Sequence, residues 1–277
     1  MKRLILLLAS MLLIGGVTQA ASPATVTAAS ATSTGQLNGD RLRFAYADET
    51  GQRLLNPEGD GKKRYAQAIY APGKIADVRY VKQQKRAEDS NGRQNQWNFD
   101  RDAGELYAVV KGKIPGNESV LLAEKGAFQG HEFLNYKPLS KGAFAKGDIA
   151  GIEKAKKRKV AQQALLGQVS KNLQIGLVTF ERKKGQKPLA SLVLKTESGL
   201  LFEDFEGNDD DQSTWRVDDG GTIAPDMFKI LFVTKSKAGY ALSYEWIGEE
   251  GYSLTVLQQN KTKFRSVMHG YRYAAPV

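Results

Sequence analysis

Cysteine is absent from the 277-residue chain, and histidine occurs only twice. The lack of thiols excludes disulfide bonds, cysteine nucleophiles and lipid attachment through a cysteine. A zinc site with three protein ligands would need His131 and His269 together with a distant carboxylate, and neither histidine has the H-E-x-x-H spacing of a helical metal hydrolase. The sequence therefore gives little support to transition-metal chemistry, and we predict no cofactor.

Long apolar runs are missing after the first twenty residues, so no transmembrane segment is predicted there. Residues 1–20 place Lys2 and Arg3 ahead of an apolar run, Leu4 to Val17, and end in small residues, which is the pattern of a secretory signal peptide. We therefore expect an exported protein, periplasmic or extracellular, with a disordered Ala/Ser/Thr-rich leader at 21–36. The apolar run is shorter than the ~20 residues that span a bilayer, so a retained anchor is the weaker alternative.

Acidic residues are fewer than basic ones, 30 against 40, and the net charge is +10. A basic exported protein attracts anionic partners, so we expect an envelope polymer, lipid headgroups or an acidic protein rather than nucleic acid. The charge is uneven, because residues 141–195 hold 13 bases and 3 acids whereas residues 196–226 hold 10 acids and 1 base. If these two blocks contact each other, they neutralise each other and leave no free patch.

Short apolar segments between turn residues predict β-strands through most of the chain. Seven of them lie between residues 175 and 273, joined mostly by turns of four or five residues, which only antiparallel neighbours can use. The predicted fold is mainly β, with antiparallel meander or sandwich-like sheets, divided into a β-rich domain (37–147) and a helix plus meander (148–277). Alternation within 240–247 predicts that one side is buried, formed by Tyr240, Leu242, Tyr244 and Trp246.

One amphipathic helix is predicted near residues 152–173, with Asp148 as its N-terminal cap. Apolar residues recur there at every fourth position among good helix formers, namely Ala161, Leu165, Val169 and Leu173. The basic run KAKKRK, residues 154–159, would then fall in the first turns, where the helix dipole disfavours cations. Either water solvates these cations fully, or they have a partner outside the helix.

The stretch GNDDDQSTWRVDDGG, residues 207–221, contains five aspartates. Its spacing does not match an EF-hand, because the acids do not alternate as that loop requires and the closing glutamate is missing. A hydrated turn explains the stretch without a ligand. The alternative is an irregular calcium site built from Asp209, Asp211, Asp218 and Asp219.

Catalytic motifs are not evident, since the chain contains neither a G-x-S-x-G elbow nor a P-loop. The segment LFEDFE could supply paired carboxylates for glycoside hydrolysis, although alternation points Glu203 and Phe205 away from Asp204 and Glu206. An enzyme is therefore the less favoured class. Its best form is a hydrolase of envelope material that uses His131, Glu132 or the carboxylates of residues 203–219 as acid and base.

The function that the sequence favours is noncatalytic: a secreted or periplasmic binding or accessory protein of the cell envelope. Its basic segment would contact an anionic surface or partner through Lys154, Lys156, Lys157, Arg158, Lys159, Arg182, Lys183 and Lys184. Two alternatives stay open, the envelope-directed hydrolase and a calcium-stabilised extracellular module.

Overall fold

The computed structural model describes residues 34–215 and 221–275, which belong to one compact unit. The predicted signal peptide and residues 21–33 of the predicted leader lie outside the described residues. At the end of the leader, the Ser236 hydroxyl donates a hydrogen bond to the Gly35 carbonyl at 2.8 Å. The predicted fold class is confirmed, with 50% of the residues in strands and 7% helical.

The first six strands close into an antiparallel barrel. They are β1 (Leu42–Ala47), β2 (Arg53–Asn56), β3 (Tyr65–Tyr70), β4 (Lys74–Gln84), β5 (Gly104–Lys111) and β6 (Ser119–Glu124). Their order around the barrel is β1-β2-β5-β4-β3-β6. Alternate side chains fill the interior, among them Ala45, Leu54, Tyr107 and Leu122, so the barrel is a packed core rather than a channel.

Ten further strands form a second sheet. They are β7 (Glu132–Phe133), β8 (Lys137–Pro138), β9 (Val160–Ser170), β10 (Leu173–Phe180), β11 (Leu189–Thr196), β12 (Gly199–Glu206), β13 (Phe228–Ser236), β14 (Gly239–Ile247), β15 (Gly251–Asn260) and β16 (Lys263–Tyr273). Their order is β7-β13-β14-β15-β16-β12-β11-β10-β9-β8, and only the β12–β16 contact is parallel. Because β7 and β8 are close in the chain but lie at opposite ends of this order, the sheet curls into a half-barrel.

Both faces of the central strand β14 are buried. The predicted side, with Tyr240, Leu242, Tyr244 and Trp246, faces the concave core of the half-barrel. The other side is buried as well, because this face of the sheet packs against the outside of the barrel, where Phe44 and Leu121 meet Phe232 and Val256. Alternation correctly identified the aromatic face, but it gave no sign of the second covering layer.

The predicted position of the helix is wrong. Helix α1 spans Lys146–Lys156 and ends at Lys157, whose φ of 54° is left-handed. Residues 160–170 form β9, paired with β10, because apolar residues at every fourth position also fit the two-residue period of a strand. Gly167 allows β9 to pack closely against Tyr136, since a Cβ at this position would lie 2.3 Å from Tyr136 Oη. Asp148 makes no cap but pairs with Lys195 at 2.6 Å.

Candidate functional site

The basic run 154–159 lies at the end of α1 rather than at its beginning. Lys154 and Lys156 occupy the last turn, and Lys157 is the residue at which the helix ends. The terminal carbonyls of a helix carry partial negative charge, so a cation there is stabilising by about 0.3 to 1 kcal/mol. The helix dipole therefore stabilises these cations where they lie. Their position in the helix no longer indicates a partner outside it.

Lys156 is a structural residue. Its Nζ lies 2.6 Å from Asp204 Oδ2 and 4.1 Å from the centre of the Phe202 ring, and its side chain is only 10% exposed. Asp204 also accepts a hydrogen bond from the Ser191 hydroxyl at 2.6 Å. The acidic strand β12 thus neutralises one member of the basic segment, as contact between the two charge blocks requires.

Three other candidates also have partners. Lys159 pairs with Glu153 at 2.8 Å, and this hydrogen bond lowers the pKa of the Glu153 carboxyl. Arg182 pairs with Asp209 of the acidic stretch. Arg158 donates to the backbone carbonyl of Lys187 at 2.8 Å, so its positive charge is not matched by a carboxylate in that contact.

Four lysines keep an unmatched charge. Within residues 34–215 and 221–275, Lys154, Lys157, Lys183 and Lys184 form no ion pair, and all four are exposed. The fold brings the end of α1 next to the turn after β10, where an open groove of about 370 Å³ has both segments in its wall. We call this surface, together with the adjacent exposed Lys184, the basic groove; the cationic residues of its wall are Lys154, Lys157, Arg158, Lys159 and Lys183.

The acidic stretch does not assemble a metal site in its described part. Asp209 is used by Arg182, and Asp210 caps a turn by accepting from the Gln212 N–H at 2.9 Å and the Ser213 hydroxyl at 3.0 Å. Across the described ranges, no three His, Asp or Glu side chains are grouped to hold a metal ion. Two of the calcium candidates, Asp218 and Asp219, lie outside the described residues, so the calcium alternative stays a prediction.

The two histidines have different surroundings. His131 Nδ1 lies 2.9 Å from Thr234 Oγ1, and burial lowers the pKa of this imidazole, whereas its neighbour Glu132 is exposed. His269 Nε2 lies 3.1 Å from Ser253 Oγ on an exposed part of the sheet. This serine-histidine contact cannot be predicted from the sequence, because it depends on the register of β15 against β16.

The carboxylates of β12 point to opposite faces, as predicted. Glu203 lies on the concave side between Leu201 and Phe205, and burial there raises the pKa of its carboxyl to about 7. Asp204 faces Lys156 on the other side. Two carboxylates on opposite faces of one strand cannot flank the same glycosidic bond, so this neighbouring pair does not form the site of a glycosidase.

A second cluster, which no sequence pattern indicates, lies between the barrel and the half-barrel. Glu245 of β14 and Arg272 of β16 are 5% and 3% exposed, and both line a pocket of about 250 Å³. Ser119, from the barrel strand β6, lies in the same wall. Charged residues on strands normally face water, so only the packing of the two layers reveals that these are buried.

Comparisons of the chain with protein-family models, with curated proteins and with solved structures find no match. In the described part of the chain, no helix has both the length and the apolar character needed to span a bilayer. Any functional assignment therefore depends on the residues and their geometry alone.

Proposed function

We propose that this protein is an exported, noncatalytic binding protein of the cell envelope, and that the basic groove contacts an anionic partner. The observation that supports the proposal is a group of four exposed lysines, Lys154, Lys157, Lys183 and Lys184, which have no acidic partner among residues 34–215 and 221–275. The signal-peptide pattern of residues 1–20 supports export.

The chemistry of the groove favours a partner with repeated negative charges. Lysine ammonium groups are compact, strongly hydrated point charges on flexible stems, and they attract phosphate without the bidentate geometry that arginine imposes. Grouped lysines also repel one another, and anions placed among them relieve that repulsion. A phosphate-bearing polymer or a layer of phospholipid headgroups supplies such anions.

The test measures binding to vesicles that contain phosphatidylglycerol, with pure phosphatidylcholine vesicles as the neutral control and polyphosphate as a soluble polymer. Each lysine near an anionic surface contributes about 1 kcal/mol. Replacing the four unmatched lysines by glutamine should therefore weaken binding on the order of 100-fold or more at low salt. Salt should weaken the wild type, because exposed charges are screened over about 8 Å at physiological ionic strength.

A matched control removes the same charge elsewhere. Lys74, Lys82, Lys111 and Lys113 are exposed on the barrel, and changing all four to glutamine lowers the net charge equally. This variant should retain most of the binding. Equal losses in the two variants would show that only net charge matters, and binding that survives both high salt and neutralisation of the basic groove would refute the proposal.

A hydrolase is the second candidate, favoured by the 3.1 Å contact between Ser253 Oγ and His269 Nε2. A serine nucleophile needs a base at this distance, but it also needs a group that orients the base, and no described carboxylate is hydrogen-bonded to His269. Labelling by a fluorophosphonate probe separates the two candidates. Labelling that Ser253→Ala abolishes would favour the hydrolase, whereas a protein that resists the probe is expected for a binding protein.

A further inference from the structure

The wall of the basic groove comes from two separate elements. One part is a stripe along α1 formed by Ala150, Glu153, Lys154 and Lys157, whose spacing of three or four residues puts them on one face of the helix. Another part is Lys183, from the turn after β10. At a rise of 1.5 Å per residue the stripe is about 10 Å long, so it extends well beyond a single phosphate group.

Two arginine hydrogen bonds hold these elements in place. Arg158 donates to the Lys187 carbonyl at 2.8 Å, which joins the end of α1 to the hairpin of β10 and β11. Within that hairpin, Arg182 Nε donates to the Gln186 carbonyl at 2.9 Å. Because Arg158 lines the groove and bonds a carbonyl here, it stiffens the wall and keeps its positive charge. A partner therefore does not have to order the groove on binding.

The wall is strongly positive. Of its seven residues, five are cationic and one, Glu153, is acidic. Glu153 already accepts hydrogen bonds from Lys159 Nζ at 2.8 Å and from the Val160 N–H at 3.1 Å. Glu181 also acts electrostatically on Lys159, so the surplus charge belongs to the other cations of the wall. A cleft lined by one sign of charge focuses its field and concentrates ions of the opposite sign.

The composition of the wall does not resemble that of a membrane-binding surface. Proteins that lie on a bilayer combine basic residues with Trp, Phe or Leu, which insert among the headgroups. Ala150 is the apolar member of this wall. Within the described residues, the exposed large apolar side chains lie outside the wall; they are Ile75, Val81, Trp97, Val110, Ile247 and Tyr271. A flat bilayer also meets only the rim of a groove, whereas a single extended chain can enter it.

The wall does not resemble a nucleic-acid channel either. Proteins that bind single strands stack the bases on aromatic side chains. The described wall consists of lysine, arginine, glutamate and alanine, so it attracts phosphates but offers no ring for a base. Its chemistry therefore fits a phosphate chain that carries no bases.

We propose that the partner of the basic groove is a linear polymer of phosphates without bases, bound as an extended chain between α1 and the turn after β10. This inference rests on the proposed function and narrows it, because it selects a phosphate polymer over a phospholipid surface. Phosphates of one chain neutralise cations in both parts of the wall, and binding releases the counterions that the polymer had condensed.

The first test measures binding of long-chain polyphosphate and of single-stranded oligothymidylate by calorimetry at several salt concentrations. Polyphosphate should bind at least as tightly per phosphate, and the logarithm of its binding constant should fall with the logarithm of salt by about 0.7 for each phosphate neutralised. Tighter binding of oligothymidylate per phosphate would show that bases are recognised and would overturn the proposal.

A substitution that fills the groove separates an entering chain from a flat surface. Ala150 is exposed and lines the groove, so Ala150→Trp adds bulk there without changing the charge. It should weaken polyphosphate binding about tenfold or more, because the chain loses contact with part of the wall. Binding to phosphatidylglycerol vesicles should not weaken, since tryptophan favours the membrane interface.

Ala155→Trp is the matched control, because Ala155 is exposed on α1 but does not line the groove. This variant should bind polyphosphate like the wild type. Undiminished polyphosphate binding by Ala150→Trp, or an equal loss in both variants, would contradict entry of the chain into the groove.

Two double variants test both parts of the wall and do not depend on the tryptophan variants folding. Lys154→Gln with Lys157→Gln changes α1, and Lys183→Gln with Lys184→Gln changes the turn after β10. Each should weaken polyphosphate binding on the order of tenfold and make the salt dependence less steep by about 0.7 to 1 for each lysine removed. A loss confined to one pair would overturn a chain that contacts both parts.

The control pair is Lys74→Gln with Lys82→Gln, on the exposed surface of the barrel, and it should leave the salt dependence unchanged. The outcomes also separate this inference from the proposed function. If vesicles bind through the groove lysines and polyphosphate neither binds nor displaces them, the polymer is excluded and the proposed function stands. If neither vesicles nor polyphosphate bind, both are overturned.

Discussion

Individual side chains of the same type have very different roles in this protein. Lys156 is buried against Phe202 and Asp204, whereas Lys154, two residues earlier, is exposed and unpaired within the described residues. Similarly, Glu206 is exposed at the end of β12, but Glu203 is half-buried on the concave side of the sheet, between Leu201 and Phe205. Residue type and local sequence do not predict which member of each pair is buried, because burial depends on the residues that the fold packs against each side chain.

Glu203 should make the stability of the protein depend on pH. Burial raises the pKa of its carboxyl to about 7 from an ordinary 4.5. Between these two values the folded state retains a proton that the unfolded state releases, so the free energy of unfolding falls as the pH rises through this window. Glu203→Gln removes the effect, and its free energy of unfolding should exceed that of the wild type by on the order of 2 kcal/mol above pH 7.

Urea denaturation at a series of pH values checks this prediction. The advantage of Glu203→Gln should disappear as the pH falls to about 4, where the carboxyl is protonated in both states. Glu206→Gln, on the opposite and exposed face of the same strand, serves as the control and should follow the wild type. Parallel pH profiles for Glu203→Gln and the wild type would show that Glu203 is not desolvated.

The sequence predicted which way these side chains point, but not their environments. Alternation along β12 correctly separated Glu203 from Asp204, since it follows from strand geometry alone. The environment of Glu203 depends on Phe205, which contacts Phe228 and Trp246 at centroid distances of 5.6 and 5.0 Å. These partners come from strands that follow later in the chain, and the same dependence on distant packing hid the Glu245 pocket.

The strands of this protein are easier to predict from the sequence than its helix. The meander from β10 to β16 followed from short turns and apolar runs, which are local features. The stretch 152–173 was ambiguous, because a four-residue repeat fits one face of either a helix or a strand. Long-range packing decided the outcome, since β9 pairs with β10 on one side and with β8 on the other.

Alanine substitutions at two glycines test whether residues 160–170 form a helix or a strand. If residues 160–170 were helical, Gly167→Ala would stabilise the protein by up to about 1 kcal/mol. In the strand, the new Cβ would lie 2.3 Å from Tyr136 Oη and 2.5 Å from the Lys137 carbonyl, so we expect destabilisation instead, by about 1 to 3 kcal/mol.

Gly147 provides the matched substitution within α1. A Cβ at this position meets no atom within 4 Å, so Gly147→Ala should be neutral or stabilising by up to about 1 kcal/mol. Thermal and urea denaturation of both variants gives the comparison. If Gly167→Ala stabilises the protein, residues 160–170 are helical, as the sequence predicted.

The barrel and the half-barrel share a core. Leu42 and Phe44 of the barrel pack with Phe232 and Leu254 of the half-barrel, and Gly270 allows close approach, since a Cβ there would lie 2.8 Å from Phe44. A backbone hydrogen bond of 2.6 Å from Gly73 to Leu231 also joins the two parts. The sequence predicted two domains that meet near residue 148, and their independence stays a prediction that folding experiments can address.

We expect the barrel and the half-barrel to unfold together, because either one alone would expose the apolar face that the other covers. Leu192→Ala tests this, since Leu192 is fully buried in the concave core and belongs to a different cluster from the shared core. The substitution should lower the free energy of unfolding by about 2 to 5 kcal/mol. If unfolding is cooperative, the free energy of opening that hydrogen exchange reports for the slowest amides in β1 and β6 should fall by the same amount, although these strands lie in the barrel. Unchanged protection of β1 and β6, with faster exchange confined to β9 to β16, would instead establish two independently folding domains.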